Sequence, residues 1–88
     1  MNVVFKPIAW QDLEWWRTQP KKDQERLFKI LEEIKRTPRE GSGRSERLRH
    51  FTEEFWSRRF NLIHRIVYEI GEDEITFVQL RGHYWYDR

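Results

Sequence analysis

Cysteine is absent from this chain of 88 residues. That excludes a disulfide framework and any thiolate metal site. Histidine is scarce as well. His50, His64 and His83 are separated by 13 and 18 intervening residues, with no HxH or HxxxH unit. Without paired ligands at such spacing, the expectation is a protein with no metal and no cofactor. No apolar run approaches the roughly 20 residues that a membrane helix needs, so no membrane partner is expected. The N-terminal residues Met1, Asn2, Val3, Val4, Phe5 and Lys6 enter a strand-like pattern directly and do not resemble a secretory leader. The expected location is the cytoplasm.

What the chain has in quantity is aromatic residues and charge. Charged residues make up 36% and the mean hydropathy is -0.97, values that would point to disorder in a chain without large apolar groups. Five Trp, six Phe and three Tyr reverse that conclusion, because each buried aromatic removes roughly 150–250 Å² from water. One folded domain spanning residues 1–88 is expected. The net charge is only +2 but unevenly spread: residues 35–65 carry nine Lys/Arg against four Glu, the remainder eight basic against eleven acidic residues. The basic half suits a phosphate-bearing polymer, although a solvated charged face would look the same.

In chain order, Val3 to Phe5 reads as a strand closed by Pro7. Residues 8–19 space Ala9, Trp10, Leu13 and Trp16 as one helical stripe that Pro20 ends. Residues 21–36 form the clearest helix, with Leu27, Phe28, Ile30, Leu31 and Ile34 on one face and charges on the other. Thr37 and Pro38 stop it, and a Gly/Ser-rich loop follows over residues 39–45. A short strand is expected over residues 46–49. Further strands over residues 54–84 turn at Asn61-Leu62 and Gly71-Glu72-Asp73. The order β-α-α-β-β-β-β defines an α+β fold, a mostly antiparallel sheet with two helices on one face and the other face open.

The last strands alternate apolar residues with Arg58 or Arg59, Arg65 and His83, so fixed cations would gather on a rigid sheet. RNA can be cut without metal when its 2′-hydroxyl is the nucleophile. The step needs a base, cations around the pentacoordinate phosphate, and an acid for the departing 5′-oxygen. Glu46 suits the base, Arg65 and Arg59 the clamp, and His83 the acid. Plainer readings stand beside these. Glu46 could pair with Arg44 or Arg49; Arg58 and Arg59 could be edge-strand charges that discourage aggregation. Tyr84, Trp85 and Tyr86 could plug the core or stack on a base. His64 shares strand parity with Ile66 and Tyr68, opposite to Arg65, and reads as structural. His50 reads as a surface residue.

Several motifs carry a family resemblance over nearly the whole chain. They are Trp15-Trp16 after Trp10, the Arg-Thr-Pro-Arg-Glu-Gly-Ser-Gly-Arg run over residues 36–44, Glu46 with Leu48-Arg49-His50, Phe55-Trp56-Ser57-Arg58-Arg59, His64-Arg65-Ile66-Val67-Tyr68, and His83-Tyr84. In this order they resemble the YoeB toxins of the RelE/ParE superfamily, the toxin half of bacterial YoeB–YefM pairs. The resemblance implies a RelE-like fold related to microbial RNases. It also implies a ribosome-dependent endoribonuclease that cuts mRNA in the A site and so inhibits translation. It assigns Glu46 as base, His83 as acid, Arg65 as phosphate-stabilising cation and Tyr84 as the aromatic of the site. Arg44, Arg49, Arg58 and Arg59 are the expected RNA contacts, with Arg49 standing where the family commonly has lysine. A YefM-like antitoxin, a homodimer, and operator DNA bound only through the antitoxin complex are the implied partners. The family usually ends near the His-Tyr pair, whereas residues 85–88 follow it here. Two other readings remain: a ParE-like gyrase poison that cuts no RNA, and a simple RNA-binding module.

Overall fold

Helix α2, Lys21–Arg36, forms over the full span that its apolar stripe predicts. Leu27, Ile30, Leu31 and Ile34 are buried, whereas Phe28 remains 51% exposed. Phe28 is one residue, about 100°, around the helix from Leu27, which carries it off the stripe. The protein is described by a computed structural model over residues 1–84. Residues 85–88, with the expected Trp85–Tyr86 plug or stack, lie outside the described residues. The other elements are β1 (Asn2–Phe5), α1 (Pro7–Trp16), β2 (Glu46–Arg47), β3 (Phe55–Arg59), β4 (Arg65–Gly71) and β5 (Glu74–Gln79). Helix α1 begins with Pro7 in its first turn, where the missing N–H costs nothing. It ends three residues before the expected boundary.

The five strands form one sheet in the order β1-β5-β4-β3-β2. Neighbours are antiparallel except β1, which runs parallel to β5. Strand β2 is shorter than expected. Its pairing with β3 ends as the Leu48 N–H reaches the Phe55 carbonyl, and His50, at φ 73°, turns the chain away.

Strand alternation separates two apolar clusters. On one face Ile66, Tyr68, Ile70, Ile75 and Phe77 pack with Ala9, Trp16, Leu27, Ile30, Leu31 and Ile34 from the helices. Each fully buried Leu, Ile or Phe among them contributes about 1.5–3 kcal/mol by leaving water. On the opposite face Leu48, Val67 and Val78 form a smaller cluster, with Phe55 and Tyr84 packed against it. The two helices therefore cover one face, and the sheet is α+β as its element order predicts.

Candidate active site

Cross-strand pairing fixes which residues share the face away from the helices, because directly opposed residues point the same way. Glu46 on β2 lies opposite Ser57 on β3, and Ser57 opposite Val67 on β4. One step along, Arg59 lies opposite Arg65. Val67 belongs to the outer cluster, so Glu46, Arg59 and Arg65 all start from that face. Glu46 and Arg65 are two strand spacings and one two-residue step apart, roughly 12 Å between α-carbons. A glutamate and an arginine can span that distance and meet at one phosphate.

Glu46 is exposed, and with Arg49, Phe51 and Tyr84 it lines a hollow of about 390 Å³. Arg65 donates from Nη1 to the Asn61 carbonyl at 3.0 Å, which ties its guanidinium to the β3–β4 turn. The Arg65 N–H also donates to the Gly82 carbonyl at 2.8 Å. That bond brings the segment carrying His83 alongside the start of β4. His83 is exposed, whereas Tyr84 folds back onto the outer cluster. Arg59 lines a different, larger hollow of about 820 Å³ against α2, beside Ser42 and Gly43. Arg44 is exposed just before β2 and lines neither hollow; its φ of 53° is unusual for a residue with a side chain.

The expectation that Arg58 contacts RNA is corrected by the structure. Arg58 is 0% exposed and on the helix-facing side, opposite Ile66. Its Nε donates to the Tyr68 hydroxyl at 3.2 Å, Nη1 to Glu33, and Nη2 to the carbonyls of Thr37 and Glu40 at 2.6 Å each. The Tyr68 hydroxyl in turn donates to the Pro38 carbonyl at 2.5 Å. Burial raises the Tyr68 phenol above its ordinary range and keeps it a donor. Glu33 accepts from the Ser42 N–H and hydroxyl, and these bonds, with Arg58, hold its carboxyl below the usual range. Arg58 is thus the peg on which the α2–β2 loop hangs, and that loop delivers Glu46 to the outer face.

His64 faces the helices, as its parity predicts. Its ring lies 5.3 Å from both Trp15 and Trp16. Three residues with no role apparent in the sequence also hold the segment after β5: Asp12 and Trp16 from α1, and Gln79 at the end of the strand. The Leu80 N–H donates to Asp12 Oδ2 and the Leu80 carbonyl accepts from Trp16 Nε1, both at 2.9 Å. Gln79 Nε2 is directed at the carbonyls of Arg65, Arg81, Gly82 and His83. Only the mid-helix placement of an aspartate on a buried stripe could have signalled Asp12.

Two helices on one face of a five-stranded mixed sheet, with charged residues on the other face, is an architecture this chain shares with solved toxins of bacterial toxin–antitoxin systems. A structure of the YoeB/ParE toxin from Agrobacterium tumefaciens superposes with a TM-score of 0.87 at 31% identity, covering 96% of this chain and all of that one. The family model of the YoeB-like toxin of bacterial type II toxin–antitoxin systems matches residues 5–84, and the chain belongs to that family. Toxin RelK of Mycobacterium tuberculosis is 39% identical over 83 residues, which cover 94% of this chain and 98% of that protein. YoeB from Staphylococcus aureus, solved in a heterotetrameric YoeB–YefM complex, is 30% identical with a TM-score of 0.80 over 96% of this chain and 98% of that one.

Proposed function

We propose that this toxin is a metal-independent endoribonuclease that cuts mRNA in the ribosomal A site and so halts translation. The placement of Glu46, Arg65 and the His83–Tyr84 segment around one open sheet face carries the reading. Glu46 takes the proton of the 2′-hydroxyl, whose oxygen attacks the adjacent phosphorus. Arg65, with Arg59 reaching from the neighbouring strand, stabilises the added charge through the planar, bidentate donors of a guanidinium. His83 gives its proton to the departing 5′-oxygen, leaving a 2′,3′-cyclic phosphate and a 5′-hydroxyl. Tyr84 and Arg49 flank the hollow beside Glu46, where they hold the scissile nucleotide. The ribosome supplies placement, which is worth up to roughly 7–11 kcal/mol of barrier for an ideally held pair.

The YoeB–YefM complex of the Staphylococcus aureus relative supports a YefM-like antitoxin as partner for this chain, with operator DNA reached only through that complex. The dimer solved for the same relative supports a homodimer. The chain acts as one domain in the bacterial cytoplasm.

Primer extension on a defined mRNA with purified ribosomes tests the reading. Wild-type protein is expected to cut only at the A-site codon, undisturbed by a metal chelator, while Glu46→Gln, Arg65→Ala and His83→Gln remain folded and inactive. Intact mRNA with wild-type protein overturns the nuclease reading and makes gyrase the next target to assay.

A further inference from the structure

The segment that carries His83 leaves the sheet at Leu80 and belongs to no helix or strand. Its backbone is held by side chains from elsewhere. Asp12 and Trp16 fix Leu80, and Gln79 gathers the carbonyls of Arg81, Gly82 and His83. One bond differs in kind from these. The Gly82 N–H donates to His64 Nδ1 at 2.9 Å. An imidazole nitrogen accepts only without its proton, so the bond requires neutral His64 with its proton on Nε2. Trp15 and Trp16 keep the ring in place, and Arg81 lies 3.9 Å over Trp15, joining the segment to the same aromatic pair.

We propose that His64 is a positioning residue for the candidate acid: as a hydrogen-bond acceptor it fixes Gly82, and through Gly82 it sets the place of His83 beside Arg65. This rests on the reading of His83 as the acid. Protonating His64 turns its acceptor into a donor facing the Gly82 N–H and breaks the link. The charged groups around His64 are Arg81 and His83, which oppose its protonation, and Asp12, which favours it. Burial is the largest influence and acts with Arg81, so the imidazole titrates below its ordinary range and the link stays intact at neutral pH.

Two substitutions separate positioning from packing. His64→Asn places an oxygen acceptor near the position of Nδ1, whereas His64→Phe fills the space between the tryptophans without one. Backbone amide NMR should show the Gly82 N–H protected from exchange in the wild type, its shift moving with His64 titration below ordinary imidazole values. His64→Phe should lose that protection while the amides of Ile66 and Tyr68 keep theirs; His64→Asn should retain it and lose the pH response. In single-turnover A-site cleavage, His64→Phe should slow the rate at saturating ribosome by about tenfold or more with KM unchanged, and His64→Asn should restore most of it. A Gly82 amide indifferent to His64 titration, or equal impairment in both variants, overturns the proposal. If His64→Phe does not fold, wild type and His64→Asn decide by the amide titration alone. If wild type cuts no RNA, the nuclease reading fails while the Gly82 amide still tests the positioning.

Discussion

Arg58 and Arg39 each face a glutamate, and burial separates what the two pairs are worth. Arg39 grips Glu54 with two bonds of 2.7 and 2.9 Å, but its side chain is 58% exposed. Water would replace most of what the pair provides, and Glu54 would keep its bond from Trp56 Nε1. Arg58 is wholly enclosed, and its removal would take a donor from the Thr37 and Glu40 carbonyls and a bond from both the Tyr68 hydroxyl and the Glu33 carboxylate at once. Arg58→Met is expected to cost about 3 kcal/mol or more, and Arg39→Ala far less, both read from urea denaturation. Arg58→Lys should not rescue, because an ammonium cannot reproduce the planar fork that reaches four acceptors. Similar costs for Arg58→Met and Arg39→Ala would show that the α2–β2 loop does not depend on its peg.

The loop between α2 and β2 makes a second demand, this time on the backbone. Gly43 has φ +79°, and a Cβ there would stand 2.5 Å from the Arg59 carbonyl and 3.1 Å from its nitrogen. Both atoms are backbone, and the Arg59 N–H is already bound to the Gly43 carbonyl at 2.6 Å, so neither can move away cheaply. Gly43→Ala should therefore destabilise by about 1–3 kcal/mol. Gly71→Ala, whose new Cβ would meet nothing closer than 3.4 Å, should stay within about 0.5 kcal/mol. Thermal melts of the two variants check the contrast. At this scale the sequence was readable wherever one local period governed the outcome. The stripe of α2 gave its limits, and strand parity put Arg65 and His64 on opposite faces. Parity near the hairpin turns left Arg58 and Arg59 interchangeable, and nothing local could signal four acceptors arriving from α2 and the loop after it, 18 to 25 residues away, and from β4. The parallel pairing of β1 with β5 was hidden for a related reason, since it joins the two ends of the chain and leaves no local trace. Glu46 opposite Ser57 was legible as a strand residue. The holding of His83 was not, because Asp12 lies 68 residues from the amide it accepts.

Across the whole molecule, titrating groups tie stability to pH in two separate windows. Burial and Arg81 lower the His64 pKa in the folded state, while the unfolded chain titrates near 6.5. Above that pH both states are neutral and His64 has no effect. As pH falls through 6.5 the unfolded chain takes up a proton that the folded protein refuses, so stability declines until the lower folded value is reached. The carboxylates act in the same direction at lower pH. Glu33 is held down chiefly by its bonds from Ser42, and Glu54 chiefly by its bond from Arg39. Their contribution is fully present above the ordinary carboxylate value of about 4.5 and is lost as pH falls through the lower folded values. Urea midpoints should therefore be level from pH 8 to about 7, fall modestly toward pH 5.5, and fall again below about 4.5. His64→Asn has nothing to titrate in the upper window and should be flat there while keeping the lower decline. Glu33→Gln should start from lower stability at pH 7, because it weakens the Arg58 network, yet lose less of it on acidification. A wild-type profile that stays level down to pH 5 would mean that His64 protonates as readily in the fold as in the unfolded chain. The imidazole between Trp15 and Trp16 would then be free to carry charge, and its bond from Gly82 would not survive mild acid.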